Sequence, residues 1–151
     1  MNTIDISYDN DSYKTLAPRR TVLDYLNSVL AELKLTNVEF SVSFIDEDHM
    51  HQMNMEFRDI DDSTDILSFA AEDDDGFGFV SAGRRKRVLG DMLICPEVLR
   101  RNAQSFGVSD NEELRRLLIH GVLHLSGDNH QTNDPSEPML IKQEKILAKL
   151  S

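Results

Sequence analysis

The sequence predicts an α+β fold in which about five helices pack against a small mixed sheet of four strands. Strand-like and helix-like hydrophobic patterns follow one another in the order β, α, β, α, β, β, and helical patterns fill the rest of the chain. The 151 residues contain neither a linker nor an internal repeat, and this length suffices to bury one core. We therefore expect a single domain over residues 1–151.

The first half of the chain alternates strands with helices. Three segments have the apolar pattern of strands: residues 3–8, 37–45 and 66–70. Between them, apolar residues recur every three or four positions in two predicted helices. The first covers residues 18–34 and starts with Pro18, and the second covers residues 46–58, starts with three acids and ends at Arg58.

The second half begins with the stretch that we expect to be least ordered, residues 72–87, in which an acidic run and glycines precede four basic residues. A strand is expected at residues 88–95, with Cys95 as a small core residue. Three predicted helices complete the chain: residues 96–106, a helix from residue 110 that includes residues 120 and 124, and residues 139–150. We expect Asp110 to cap the second of these, and Glu113 completes a capping-box pattern with it.

The composition limits the classes of function. The net charge of −11 opposes general affinity for nucleic acid, so any RNA contact must be local, and we expect no DNA partner. Either an RNA contact or a solvated loop would explain the basic run of Arg84, Arg85, Lys86 and Arg87. No apolar run approaches the roughly 20 residues of a membrane span, and the N-terminus has no signal-peptide pattern. We therefore expect a cytoplasmic protein without membrane partners.

Three of the five histidines, His120, His124 and His130, fall within eleven positions. On a helix, the four-residue spacing of the first two places both rings on one face, where they can bind one ion. Gly127 can adopt a positive φ, end the helix and turn the chain so that His130 reaches the same ion. Two histidines alone are more often ordinary core or surface residues, but three with the glycine predict a metal site at the end of a helix.

Three neutral nitrogen ligands leave one corner of a tetrahedral zinc site open to water, as is typical of catalytic sites. The spacing H-x-x-x-H-x-x-G-x-x-H is also that of the metzincin proteases, in which a glutamate follows the first histidine and acts as general base. Here that position is Gly121. A peptidase would need another carboxylate, and the nearest ones are not adjacent to His120 in the helix: Glu112, Glu113 and Asp128.

The histidine motif resembles that of the YbeY-type endoribonucleases, also called rRNA maturation factors. Residues 120–130 fit the family frame H-G-x-L-H-L-x-G-y-D-H, except that Asp128 follows Gly127 directly and Asn129 stands before the last histidine. Gly121 is the family's own residue at its position, so it is not a lost protease base.

Two further blocks resemble the same family. Residues 54–58 and 63–69 are similar to N-x-x-[YF]-R and P-T-D-V-L-S-F, with Ser63 in place of the usual proline. Residues 89–94 are similar to the family strand L-G-D-I-x-I. The three blocks occur in the family's order and extend over most of the chain.

The resemblance implies a metal-dependent RNase with an α+β fold that cuts single-stranded RNA. It further implies maturation of the 3′ end of small-subunit (16S) rRNA, a part in ribosome quality control, and the ribosome or ribosomal proteins as partners. Zinc is the implied ion, with His120, His124 and His130 as its ligands. Arg58 would lie in the cleft facing the metal and contact phosphate, and the alternative for it is a solvated helix-end arginine.

Several points stay open. Zinc can lower the pKa of bound water from about 15.7 to about 7, or bind a phosphate oxygen, and the sequence allows both. Asp128 is a candidate for orienting an imidazole or, alternatively, for capping the turn. No residue stands out as a general base. A ribosome-assembly factor that holds zinc structurally without cutting RNA is the main alternative function, ahead of a metallopeptidase.

Overall fold

The computed structural model describes residues 1–71 and 86–151, and four strands within them form one mixed sheet. The strands are β1 (Thr3–Tyr8), β2 (Val38–Phe44), β3 (Ile66–Ala70) and β4 (Arg87–Ile94). Their order across the sheet is β1-β2-β4-β3. β1 and β4 run parallel to β2, whereas β3 runs antiparallel to β4 and lies at an edge. The predicted mixed sheet of four strands is confirmed.

Six helices pack around this sheet in the described part of the chain. They are α1 (Tyr13–Leu16), α2 (Arg19–Glu32), α3 (Glu47–Arg58), α4 (Pro96–Phe106), α5 (Asp110–Leu125) and α6 (Pro138–Leu150). The single turn α1 was not predicted, because four residues are too few to show a helical period. The ends of the other five helices agree with the predicted ends to within two residues. For α5 only the start had been predicted.

The prediction that Asp110 caps α5 is wrong by one residue. Ser109 is the cap: its backbone is extended (φ −74°, ψ 157°), and its hydroxyl oxygen accepts a 3.0 Å hydrogen bond from the backbone N–H of Glu112. Asp110 is already the first helical residue. Ser109 and Glu112 have the spacing of a capping box, so the same rule applies one position earlier.

The main core lies between one face of the sheet and helices α2, α5 and α6. β2 buries every second residue, and Val42 and Phe44 of that face are completely inaccessible. Leu26 of α2 and Leu118 of α5 pack into the same cluster. Removal of this apolar surface from water is the main stabilising contribution to the fold, and it holds α5 firmly against the sheet.

The opposite face of the sheet is covered only in part. Helix α3 packs Met50 against Leu67 and Cys95 in a second, smaller apolar cluster. Cys95 is fully buried, as predicted, but it lies one residue beyond β4, at the cap of α4. Along the rest of this face, Ser41 is half-buried and Asp91 is exposed. This leaves an open groove beside α3.

Most of the segment expected to be least ordered, residues 72–87, lies outside the described residues, and so do Arg84 and Arg85. Of the basic run, Lys86 donates a hydrogen bond from Nζ to the Thr3 hydroxyl, and Arg87 is the first residue of β4. β4 therefore starts one residue earlier than expected. Among the helices of the described ranges, none combines the length and apolar character needed to cross a membrane.

Candidate metal centre

The three histidines of the motif converge at the C-terminal end of α5. His120 and His124 lie on the last two turns of the helix, and His130 comes from the loop that follows it. The ring centroids of His120 and His124 are 4.7 Å apart, and His130 lies 5.2 and 5.3 Å from them. One nitrogen from each ring lies within 4.8 Å of the others. All three side chains are partly buried, so they form a cluster that could hold one metal ion.

The turn that brings in His130 depends on Gly127, which has a φ of 111°. A side chain at that φ would be strained, whereas glycine adopts it freely. The backbone N–H groups of Gly127 and Asp128 donate hydrogen bonds to the carbonyl oxygens of His124 (3.1 Å) and Leu123 (2.9 Å), which close the end of the helix. The predicted role of Gly127 in ending the helix is thus confirmed.

Gly121 has a packing role that explains the missing carboxylate. A Cβ at this position would lie 2.3 to 3.0 Å from side-chain atoms of Met92, a fully buried residue of β4. Glycine therefore allows α5 to approach the sheet closely, and a glutamate would have to displace Met92. Among the described residues that line the cleft beside His120 and His124, none carries a carboxylate.

In two of the rings, the Nδ1 atom is hydrogen-bonded to a carbonyl oxygen. His120 Nδ1 lies 2.6 Å from Gln143 Oε1, and His130 Nδ1 lies 2.7 Å from the backbone oxygen of Thr132. Because a carbonyl oxygen only accepts, the hydrogen of each neutral ring must be on Nδ1. The Gln143 amide is itself oriented, since its Nε2 donates to a carboxylate oxygen of Glu144 at 3.0 Å. Nε2 of both rings is thereby left as the lone-pair donor that a metal needs.

Electrostatics also favour the neutral form of His120 and His124. Burial lowers the pKa of His120, and a hydrogen bond with Gln143 opposes this shift only in part. Burial, together with the neighbouring His120 and His130 rings, lowers the pKa of His124 to about 4, against the opposing effect of a hydrogen bond with the backbone of Asp128. Imidazole must be neutral to bind a metal, so at neutral pH little proton competition remains at these two positions. The donor set therefore fits a zinc ion.

Arg58, His120 and His124 line the same cleft, which has a volume of about 320 Å³. The guanidinium lies over the ring of Phe69, 4.8 Å from its centroid, and donates a 2.9 Å hydrogen bond to the backbone oxygen of Ser68. These contacts direct an exposed cation around the edge strand β3 toward the cleft. Asn129, at the position where the chain departs from the family frame, also lines it. The structure therefore brings Arg58 together with His120 and His124.

Asp128 does not reach an imidazole through its carboxylate. Its Oδ2 lies 3.3 Å from Lys142 Nζ, and its backbone N–H closes the end of α5. Of the two interpretations considered for this residue, the contacts favour the structural one. The other two histidines, His49 and His51, lie away from the cluster and pair with Asp9 and Asp61.

Sequence reasoning missed Gln143 and the charge network behind it. Arg116 binds the carboxylates of Glu112, Glu113 and Glu144 at 2.9 to 3.2 Å, and Glu144 in turn holds Gln143. The sequence did contain a signal, because Gln143 shares one helical face with the apolar residues Met139, Ile146 and Leu147. In the structure Gln143 is only 6% exposed. A polar side chain on an apolar stripe needs a buried partner, and here the partner is His120.

Comparisons with known proteins identify the family of this chain. A sequence model of the family described as Endoribonuclease YbeY matches residues 4–151. The chain is 38% identical over 146 residues to Endoribonuclease YbeY of Treponema denticola, covering 97% of this chain and 92% of that protein. It is 39% identical over 127 residues to Endoribonuclease YbeY of Treponema pallidum subsp. pallidum, covering 84% and 78%.

A solved structure has the same overall fold. The solution structure of the protein TM1509 from Thermotoga maritima superimposes with a TM-score of 0.66 at 28% sequence identity, covering 98% of this chain and 89% of that one. The family match over nearly the whole length confirms the resemblance inferred from the three sequence blocks. The chain is a member of the Endoribonuclease YbeY family.

Proposed function

We propose that this protein is a zinc-dependent endoribonuclease that cuts single-stranded RNA in the cytoplasm. Its substrate is rRNA, with the 3′ end of small-subunit rRNA as the site of maturation, and it acts with the ribosome or ribosomal proteins in quality control. The observation that carries the proposal is a cluster of three imidazoles, two of which line a single open cleft together with one arginine. The names of the relatives support the class of reaction.

The chain's own residues position the phosphate and hold the ligands ready. Burial favours the neutral rings of His120 and His124, so these two present lone pairs without first losing a proton. The carbonyl oxygen of Thr132 holds Nδ1 of His130 and so orients the third ring. Arg58 presents a fork of donors that matches the oxygens of a phosphate and stabilises the negative charge that builds up on it. Bound zinc supplies a Lewis acid and a water of lowered pKa.

Peptidase activity has little support from the same cleft. The position that carries the general base in metzincins is occupied by Gly121, packed against Met92. The described lining of the cleft offers no carboxylate in its place. A phosphate, which is itself charged, is the substrate that suits a site made of imidazoles and one guanidinium.

The test is cleavage of a labelled single-stranded RNA by protein purified without added metal, with its zinc content measured in parallel. We expect wild-type protein to contain about one zinc and to cut. His124→Ala should lose both zinc and cleavage, whereas the matched control His51→Ala, an exposed histidine paired with Asp61, should keep both.

Arg58→Ala in the same assay distinguishes the contribution of the arginine from that of the zinc ion. We expect it to keep its zinc and to lower kcat about 100- to 1,000-fold, the effect of removing one donor to transition-state charge. Cleavage by His124→Ala at the wild-type rate would refute the proposal, and so would a zinc-loaded wild-type protein that cuts no RNA.

A further inference from the structure

A second groove, of about 720 Å³, lies on the sheet face opposite the main core. One wall is aromatic and comes from α3 and β3. Phe57 is 49% exposed, and its ring meets that of Phe69 edge to face with centroids 5.3 Å apart. A large aromatic ring that is half in water is available for a planar ligand to stack on.

The floor of the groove is polar. Asp91 of β4 is the register partner of Phe69, so its carboxylate lies close to the aromatic wall. The Ser41 hydroxyl donates a 2.6 Å hydrogen bond to Asp91 Oδ1 and so holds the carboxylate in place. Both oxygens of a carboxylate only accept hydrogen bonds, and among the side chains of residues 1–71 and 86–151 only Ser41 donates to this one. The groove therefore pairs a stacking surface with an acceptor.

This groove and the metal cleft meet at the edge of the sheet. Ala70, in the edge strand β3, lines both of them. Arg58 leaves α3 beside Phe57 and bonds the Ser68 oxygen of β3, so its guanidinium lies at the junction. A chain whose phosphate lies against Arg58 in the cleft can pass over β3 and place a neighbouring nucleotide in the groove.

We propose that the groove binds a base of the RNA chain that carries an exocyclic amino group, with its ring on Phe57 and its amino group donating to Asp91. The occupant is a base rather than a second phosphate, because the acceptor is an anion that repels phosphate and attracts an N–H donor. Uracil has an acceptor oxygen where cytosine has its amino group, so the groove prefers cytosine over uracil in a ring of the same size. This inference rests on the proposed function only for the choice of RNA as ligand.

The test measures binding, independently of cleavage, with fluorescence anisotropy of metal-free protein and short labelled oligomers of cytidine or uridine. We expect tighter binding of oligocytidine by the wild-type protein. Phe57→Ala should weaken it about tenfold, the typical loss for one stacked base. The matched control is Met55→Ala on the same helix, which removes a side chain that is 46% exposed but does not line the groove and should leave binding unchanged.

Two more variants keep the result interpretable. Phe57→Tyr retains the aromatic ring and should bind like wild type, which excludes misfolding as the cause of the Phe57→Ala defect. Asp91→Asn retains an acceptor for Ser41 but adds a donor. The ratio of the dissociation constants for oligouridine and oligocytidine should therefore fall toward one.

Equal binding of the two oligomers by wild-type protein, or a Phe57→Ala variant that binds oligocytidine as wild type does, would overturn the proposal. A protein that binds the oligomers as expected but cuts no RNA would instead refute the proposed nuclease and leave the base site standing.

Discussion

Two pairs of histidines in this protein differ in their spacing, their hydrogen-bond partners and their exposure to solvent. His49 and His51 are two residues apart on α3 and point to different carboxylates, Asp9 and Asp61, at 2.7 Å each. His120 and His124 are four residues apart on α5, and their rings lie 4.7 Å from each other. The first pair is about half exposed in its side chains, whereas burial lowers the pKa of both members of the second.

The difference shows that spacing and burial, more than the presence of histidine, make a ligand set. Residues two apart on a helix point in different directions, so His49 and His51 cannot hold one ion together. A carbonyl partner on Nδ1, such as that of Gln143, orients the neutral ring and directs Nε2 toward the ion. Two experiments test this comparison directly, and a third tests the electrostatics of α3, the helix that carries the first pair.

The largest expected effect is stabilisation by zinc. Free zinc at about 1,000 times its dissociation constant should add about 4 kcal/mol to the free energy of unfolding, which is roughly 10 °C in Tm for a domain of this size. His120→Ala should lose this shift, and His49→Ala should retain it. Differential scanning fluorimetry with and without zinc measures the difference for each variant, and an equal shift in both variants would contradict the assigned ligand set.

A smaller effect on zinc binding is expected from Gln143, the hydrogen-bond partner of His120. Gln143→Leu keeps the size of a buried side chain but leaves His120 Nδ1 without its acceptor, so zinc affinity should fall about 10- to 100-fold. Gln143→Glu restores an acceptor and should recover most of the affinity. Competition with a chromophoric chelator measures both.

Asp61→Asn is the matched control for this experiment, because it alters the partner of His51 in the other pair. It should leave zinc affinity unchanged. If Gln143→Leu bound zinc as tightly as wild type, the contact would be a packing feature without influence on the ion.

The smallest effect concerns pH and the start of α3. Hydrogen bonds from Arg101 and Ser63 hold the pKa of Glu47 at about 2, below its ordinary value of 4.5. A depressed carboxylate pKa means that the contribution to stability is full above about pH 4.5 and disappears as the pH falls toward 2. Wild type should therefore have a higher Tm than Glu47→Gln at pH 6, and the gap should close between pH 4.5 and 2. A gap that stays constant over this range would show that the ionised group contributes nothing.

Periodicity and spacing predicted the four strands, the five longer helices and the clustering of the three histidines, because these depend on local geometry. The four-residue spacing of His120 and His124 has one consequence on a helix, and Gly127 has a positive φ as its position suggested. Gly90, which interrupts the apolar pattern of β4, is explained only by the folded structure: a Cβ there would lie 2.0 Å from the Phe69 oxygen. That contact joins two strands that are distant in sequence.

What the sequence could not predict are the contacts between elements far apart in the chain. Gln143 meets His120 across 23 residues, and Arg116 meets Glu144 across 28. No spacing rule covers such distances, since they depend on how α6 packs against α5. The same holds for the position of Arg58, whose conformation is set by Ser68 and Phe69 of a different element.

The Arg58 side chain, which lies against the outermost strand β3, has a further consequence for the behaviour of the protein in concentrated solution. Unpaired backbone groups at a sheet border invite strands from other molecules, and a charged side chain placed across them discourages such pairing. By binding the Ser68 oxygen of this five-residue strand, Arg58 shields that border. The Arg58 guanidinium, which we propose binds phosphate, thus also opposes strand pairing between neighbouring copies of the protein.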